Sequence, residues 1–321
     1  MPGKKIIIFG ASGQDGSYLA KLLLSKGFKV YGTSRDAEVQ KFSNLKILGI
    51  KERISVVSVA INDFGSVFQC IKNISPDVIY NLASQSSVAL SFSQPHETME
   101  SIELGTLNIL ESIRLYGKEI KFYNACSSEC FGDTGEKKAD EKTPFNPLSP
   151  YAVSKAAAYW MVKNYREAYG IFACSGILFN HESPLRQDRF VTKKIINAAV
   201  DISKGKNKTL NLGNIDIVRD WGWAPDYVEA MWLMMENNIS EDFVVATGIS
   251  KSLKDFLSIS FEYLNLNWKN YVSIDENLYR PTDISKNMGN PNKIKKQLGW
   301  KAKYSFHEMI KEIIEYSMAQ N

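Results

Sequence analysis

No stretch of this sequence approaches the roughly 20 consecutive apolar residues that a membrane-spanning helix needs, so no membrane association is expected. Cysteine is scarce. Of the four present, Cys70, Cys126, Cys130 and Cys174, two stand four residues apart, but no further cysteine or histidine cluster completes a zinc-type ligand set, and no metal is expected. With no secretory leader apparent, reduced thiols in a cytoplasmic protein are the simpler expectation. Charge of one sign is also scarce. A net +4 over 321 residues argues against nucleic-acid binding and allows only a modest attraction for anionic ligands. There is no internal repeat and no low-complexity segment. What remains, 44% hydrophobic and 23% charged residues, is ordinary for a soluble globular chain, and the length suits one large α/β domain or a domain with a smaller lobe.

Residues Lys5–Phe9 (KIIIF) form a continuous apolar run, as expected of a strand buried on both faces of a parallel sheet. Gly10, Gly13 and Gly16 follow in a G-x-x-G-x-x-G spacing, and then an apolar stripe of Tyr18, Leu19, Leu22 and Leu23 predicts a helix up to Gly27. Glycines in this order permit a tight turn and close backbone approach to a pyrophosphate, and the helix N-terminus offers free N–H groups. A second strand over 30–33 ends in Ser34-Arg35-Asp36, where the adenosine ribose of a dinucleotide would lie. An acidic residue there favours NAD, and an arginine accommodates the 2′-phosphate of NADP. With Arg35 and Asp36 adjacent the signal is mixed.

Further strands are predicted over 54–61, 77–82 and 120–124, with helices over Phe64–Ile74 and 98–116, the latter with Leu104, Leu107, Leu110 and Ile113 inward. This alternation predicts an α/β fold with a doubly wound parallel Rossmann sheet. A sixth strand over 177–179 closes a dinucleotide-binding domain at residues 1–179. Residues 180–321 are expected to form mostly a smaller C-terminal substrate-binding lobe, with some segments returning to the main domain. Within it, 210–213 and 244–248 read as strands and 290–318 as mostly amphipathic helix.

Pro150 predicts a helix start, which puts Tyr151 and Lys155 on one helical face, with a phenol beside an ammonium. A tetrapeptide spacing of this kind is common, and it gains meaning only after a nucleotide-binding unit. A positive neighbour lowers a phenol's pKa, so the pair is a plausible proton-transfer device. Ser127 and Glu129 follow the fifth strand. Ser127 could hold the substrate oxygen. Glu129 could remove a C–H proton made acidic by a new ketone, or could simply cap a helix.

Over nearly its whole length the chain resembles the extended short-chain dehydrogenase/reductases, and within them the GDP-mannose 4,6-dehydratases. The stretches that carry the resemblance are Gly13-Gln14-Asp15-Gly16-Ser17-Tyr18-Leu19, Tyr80-Asn81-Leu82-Ala83, Ser128-Glu129, Ser149-Pro150-Tyr151-Ala152-Val153 and Asn164-Tyr165-Arg166-Glu167. The two most specific are GILFNHESP from Gly176 and RDWG from Arg219. The resemblance implies that Tyr151, assisted by Lys155, deprotonates the C4 hydroxyl of a nucleotide-linked hexose while hydride passes to NADP. It implies that Glu129 removes the C5 proton and that hydride returns to C6 as water leaves, with Ser127 assisting. It places the cofactor on Gly10, Ser12, Gly13, Gln14, Asp15, Gly16, Arg35, Ile61, Leu82, Ala83, Tyr151 and Lys155. It places a GDP-sugar on Ser86, Ser127, Glu129, Asn180, Lys194, Arg219, Arg280 and Asp283, where guanidinium groups suit a diphosphate. A homodimer or homotetramer is also implied, with 35–46 the natural interface segment.

The chain departs from the family pattern at several points. Ser127 replaces a threonine, Asp36 a second arginine, Ala60 an acidic residue and Ser87 a histidine. The 185–189 loop lacks a glycine after Arg186, and Trp223 follows RDWG. NADP is therefore the expected cofactor with NAD possible, and GDP-N-acetylglucosamine stands as an alternative to GDP-mannose. A nucleotide-sugar 4-epimerase or 4-ketoreductase shares the loop and the Tyr/Lys pair but needs no Glu129. A cofactor-sensing protein without catalysis would be expected to have lost the pair.

Overall fold

A computed structural model describes residues 3–206 and 209–320; the outermost residues of the two expected units, Met1, Pro2 and Asn321, lie outside this range. The opening apolar run is β1 (Lys5–Phe9), followed by α1 (Gln14–Ser25) and β2 (Lys29–Ser34). A short α2 (Ser43–Ile47) leads to β3 (Ser55–Ser58). β3 is shorter than the predicted 54–61 because the chain turns at residues 60–63, where the Asp63 side chain caps α3 (Phe64–Ile74) by accepting from the Ser66 N–H at 2.6 Å. β4 (Val78–Asn81) comes next, then α4 (Val88–Ser93) and α5 (Pro95–Met99).

The helix predicted over 98–116 starts three residues early at Pro95, whose fixed φ suits a first turn. It runs through a π-type turn at Glu100–Leu104 into α6 (Gly105–Tyr116). Ile109, Leu110 and Ile113 are buried as a stripe, whereas Leu104 and Leu107, predicted inward, are exposed.

β5 (Lys121–Ser127) runs three residues beyond its predicted end, because its parallel pairing with β6 (Ala173–Leu178) continues to Ser127 opposite Leu178. Between them α7 (Pro150–Tyr169) crosses over, capped by the Ser149 hydroxyl, which accepts from the Ala152 N–H at 3.1 Å. The seventh strand, β10 (Phe243–Val245), overlaps the start of the predicted 244–248 segment and pairs with β6 in the main sheet. The order is β10-β6-β5-β4-β1-β2-β3, all parallel, and its direction reverses between β1 and β4.

The remaining elements are β7 (Asn180–Glu182), α8 (Val191–Ser203), β8 (Leu210–Leu212), β9 (Val218–Trp223), α9 (Ala224–Glu236), β11 (Ser250–Ser252), α10 (Leu253–Glu262), β12 (Val272–Ile274), β13 (Lys286–Asn287), α11 (Asn292–Leu298) and α12 (Phe306–Gln320). The segment predicted as one helical stretch over 290–318 is two helices. Gly299 at φ +67° ends α11, and buried Trp300 donates to the Asp226 carbonyl at 2.9 Å. One apolar core joins α1, the main sheet and α9 with Ile294 and Trp300. A separate core joins α8, β8, α10 and α12. Among the described residues no helix is long and apolar enough to cross a membrane.

Candidate active site

The loops after β1 and β4 open a crevice where the sheet order reverses. At Gly10, φ is +85°, and a Cβ would stand 2.7 Å from the Leu82 carbonyl. A Cβ on Gly16 would stand 2.2 Å from the Gly10 oxygen, so α1 abuts the loop. Both positions require glycine. Gly13 has no such crowding and precedes a helix end with no side-chain cap, whose free N–H groups border the crevice. The cavity there, about 620 Å³, is lined by Gly10, Ser12, Gly13, Gln14, Asp15 and Gly16, together with Arg35, Ile61, Leu82 and Ala83.

Gln14 and Asp15 reach across this cavity's wall to β7. Asp15 Oδ2 lies 2.8 Å from His181 Nε2, and Gln14 Oε1 accepts from the Ser183 hydroxyl at 2.8 Å. His181 Nδ1 lies 2.7 Å from the Phe179 carbonyl. A carbonyl can only accept, so Nδ1 carries a proton and Nε2 shares its own with the Asp15 carboxylate. Burial pushes the Asp15 carboxyl up, but the charge and hydrogen bond of His181 outweigh it and hold the group below its ordinary range. Burial likewise pushes His181 down, and Asp15 overcomes it to raise the imidazole. The ring also stacks on Tyr227, 4.5 Å between centroids.

Arg35 lines the cavity and pairs with Glu97 at 3.0 Å. Asp36 instead turns into its own loop, where Oδ1 accepts from the N–H groups of Glu38 at 2.9 Å and Val39 at 3.1 Å.

A second cavity of about 400 Å³ adjoins the first, sharing Asp15, Leu82, Ser84, Ser86, Arg186 and Arg189. Tyr151, Lys155, Ser127 and Glu129 line it, as do Ser86, Asn180, Lys194, Arg219, Arg280 and Asp283. Ser127 Oγ accepts from the Glu129 N–H at 3.2 Å, and the Ser127 side chain acts on the Tyr151 phenol to lower it. Lys155 Nζ donates to the Ala125 carbonyl at 2.7 Å and lies 5.8 Å from the centre of the Tyr151 ring. The expectation that the ammonium makes the phenol acidic needs correction. Burial is the larger effect: it pushes the Tyr151 phenol up despite Ser127 and pushes the Lys155 ammonium down.

Arg219 is buried, with Nη1 donating to the Val218 carbonyl at 2.9 Å. Its Nη2 has no hydrogen-bond partner among the described residues and stands 4.0 Å from Asp283 Oδ1, itself unpartnered there. A buried guanidinium N–H without an acceptor is a group that an anionic ligand would complete. Lys194 is exposed and donates to the Asn211 carbonyl at 2.7 Å. Among the described residues no three His, Cys, Asp or Glu side chains gather as metal ligands.

The family model for GDP-mannose 4,6 dehydratase matches residues 7–313. The chain belongs to the GDP-mannose 4,6-dehydratase family. It is 44% identical over 324 residues to GDP-mannose 4,6 dehydratase 1 of Arabidopsis thaliana, covering 98% of this chain and 90% of that one. Its identity to the GDP-mannose 4,6-dehydratase of Vibrio cholerae is 40% over 347 residues, covering 97% and 93%. Among solved structures it is similar to the UDP-glucose 4-epimerase of Thermus thermophilus in complex with NAD, with a TM-score of 0.85, 26% identity and 98% of each chain covered.

Three residues of this dehydratase-family cleft escaped sequence reasoning. His181 sits inside the specific GILFNHESP stretch, but no spacing pairs it with Asp15. Arg186 and Arg189 border both cavities, yet in a loop their charges look merely solvated.

Proposed function

We propose that this protein is a 4,6-dehydratase that converts GDP-mannose to the GDP-4-keto-6-deoxyhexose, with NADP as its resident cofactor. The observation that carries the reading is that Glu129 lines one cavity with Tyr151, Lys155 and Ser127. The glycine cradle at Gly10, the uncapped α1 terminus and Arg35 fit a dinucleotide with a 2′-phosphate. Held by the Gly10–Gly16 loop and Arg35, a nicotinamide would supply a hydride acceptor for C4 and a hydride donor for C6. Tyr151 removes the C4 hydroxyl proton, with Ser127 orienting the oxygen and Lys155 completing the buried proton-transfer pair. Glu129 removes the C5 proton, acidified by the C4 ketone, and delivers a proton to the C6 hydroxyl as it leaves as water; the proton that Tyr151 took then goes to C5 as hydride reaches C6. Arg219 and Arg280 hold the diphosphate, while Asn180, Lys194, Ser86 and Asp283 complete the nucleotide-sugar site. An epimerase would use Tyr151 and Lys155 but leave Glu129 idle.

The test is to incubate purified protein with GDP-mannose, GDP-N-acetylglucosamine, UDP-glucose, dTDP-glucose and CDP-glucose, adding no cofactor, and to follow the products by NMR. A 4-keto-6-deoxy product from GDP-mannose is expected. If none of the five yields one, the dehydratase reading falls.

The assembly we propose is a homodimer or a larger homo-oligomer. Exposed Leu104 at the end of the π-type turn and Leu107 and Leu115 on α6, with Val153 and Trp160 on the adjacent α7, present an apolar face that fits a second copy better than 35–46 does. Light scattering should give a multiple of the chain mass, and Trp160→Glu should lower it.

A further inference from the structure

The loop that carries Ser127 and Glu129 is bracketed by two thiols. Cys126 is the next-to-last residue of β5, and Cys130 lies in the single helical turn Ser128–Phe131. Their sulfurs are 3.7 Å apart, in van der Waals contact and unbonded. Cys126 Sγ lies 3.8 Å from the Lys155 carbonyl, and Cys130 Sγ lies 3.6 Å from the Ala152 carbonyl. Both thiols therefore sit beneath the turn of α7 that presents Tyr151 and Lys155. They differ in what they face. Both are buried in one apolar cluster with Phe131, Tyr159 and Phe179, but Cys126 also lines the sugar cavity and Cys130 does not. The proposed reaction uses neither. Cys70 and Cys174 lie in other cores.

We propose that Cys126 and Cys130 are an oxidation site, in which a hydroperoxide entering the sugar cavity drives formation of a Cys126–Cys130 disulfide that stops turnover. The thiol of Cys126 attacks one peroxide oxygen. The O–O bond breaks, Cys126 becomes a sulfenic acid, and with hydrogen peroxide one water leaves. The Cys130 sulfur then attacks the Cys126 sulfur, the S–O bond breaks, and a second water leaves. Cys126 lines the cavity that the oxidant enters, and Cys130, whose sulfur is 3.7 Å away, is placed to resolve it. A disulfide requires the sulfurs to close to about 2.05 Å. Ser127 and Glu129 lie inside the ring so formed. The closure pulls on a loop that the Asn287 amide pins from the other side, at 3.0 Å to the carbonyls of both Ser128 and Gly132. The geometry of Ser127 and Glu129 changes, and reduction restores it.

Both cysteines fall on one tryptic peptide, residues 122–137, so the site is read directly by mass. Reduced holoprotein is treated with hydrogen peroxide, alkylated, digested and assayed in parallel. The expected result is that this peptide becomes two hydrogens lighter and unalkylated as activity falls, and that dithiothreitol reverses both. GDP-mannose in the cavity should slow the change. C130S should keep basal turnover and stop at a Cys126 sulfenic acid that dimedone traps. The C126S/C130S double variant should lose activity at least about tenfold more slowly. Two alkylatable thiols on this peptide in peroxide-inactivated protein would overturn the proposal, as would equal inactivation of the double variant. The mass readout does not depend on the dehydratase activity, so it stands even if that reading fails.

Discussion

Asp15 and His181 join the two cavities of the cleft: the carboxylate of the first helical turn lies 2.8 Å from an imidazole on the strand that opens the sugar side. Asp15 titrates below its ordinary 3.8, so its stabilising contribution is present above that pH and is lost as pH falls through the lowered value. His181 titrates above 6.5, so its contribution is present below 6.5 and is lost as pH rises through the raised value. The pair therefore stabilises most between these limits. Asp15→Asn leaves a buried imidazolium unpaired and should cost about 3 kcal/mol. Denaturant unfolding between those limits checks the loss. The fall in stability on the alkaline side, seen in the parent, should flatten in the variant.

Glu129→Gln keeps the side-chain volume and removes the base. C4 oxidation should still occur, while product formation drops by about 10²- to 10⁴-fold. The signature is reduced-nicotinamide absorbance that rises on adding GDP-mannose and stays high. Normal turnover would remove Glu129 from the reaction.

Tyr151→Phe should fail earlier. Without the phenol the C4 hydroxyl proton has no acceptor, and the reduced-nicotinamide signal should not appear, with kcat lower by about 10²- to 10⁴-fold. Because burial raises the Tyr151 phenol, the parent's rate should climb with pH on the alkaline side as the C4 proton becomes easier to remove. A flat pH profile in the parent would place the proton transfer elsewhere.

The parts of the cleft that sequence disclosed are those built from neighbours in the chain. KIIIF followed by spaced glycines reads as strand and loop because apolar continuity and φ freedom are local properties. Tyr151 and Lys155 read as a pair because Pro150 sets the helix start. Glu129 stood out because a carboxylate follows a strand end. What stayed hidden is long-range. Nothing local says that Asp15 meets His181, or that β10, three residues long, returns to the main sheet. Steps of three residues drift by about 60° each around an α-helix, so Leu107 leaves the buried face of Leu110 and Ile113, and Leu104 lies in the π turn before them. The acidity argument for Tyr151 saw the ammonium but could not see the depth of burial, which acts in the opposite direction.

Arg35 and Asp36 could not be ranked as cofactor determinants from adjacency alone, and their surroundings now separate them. The guanidinium lines the first cavity and, among the described residues, is held by exposed Glu97, while the Asp36 carboxylate is occupied by the backbone of Glu38 and Val39. A 2′-phosphate would therefore meet the cation without the full repulsion of the neighbouring acid. Arg35→Ala should weaken NADP binding at least about tenfold, the loss of one charge-assisted contact, and leave NAD nearly unchanged. Asp36→Asn retains one acceptor for the turn and should change the preference by less. Titration of the apo variants with both dinucleotides, followed by fluorescence, decides the matter. If Asp36→Asn moves the NADP-to-NAD ratio more than Arg35→Ala does, the carboxylate faces the ribose when cofactor binds, and the turn at Glu38 and Val39 must open to allow it.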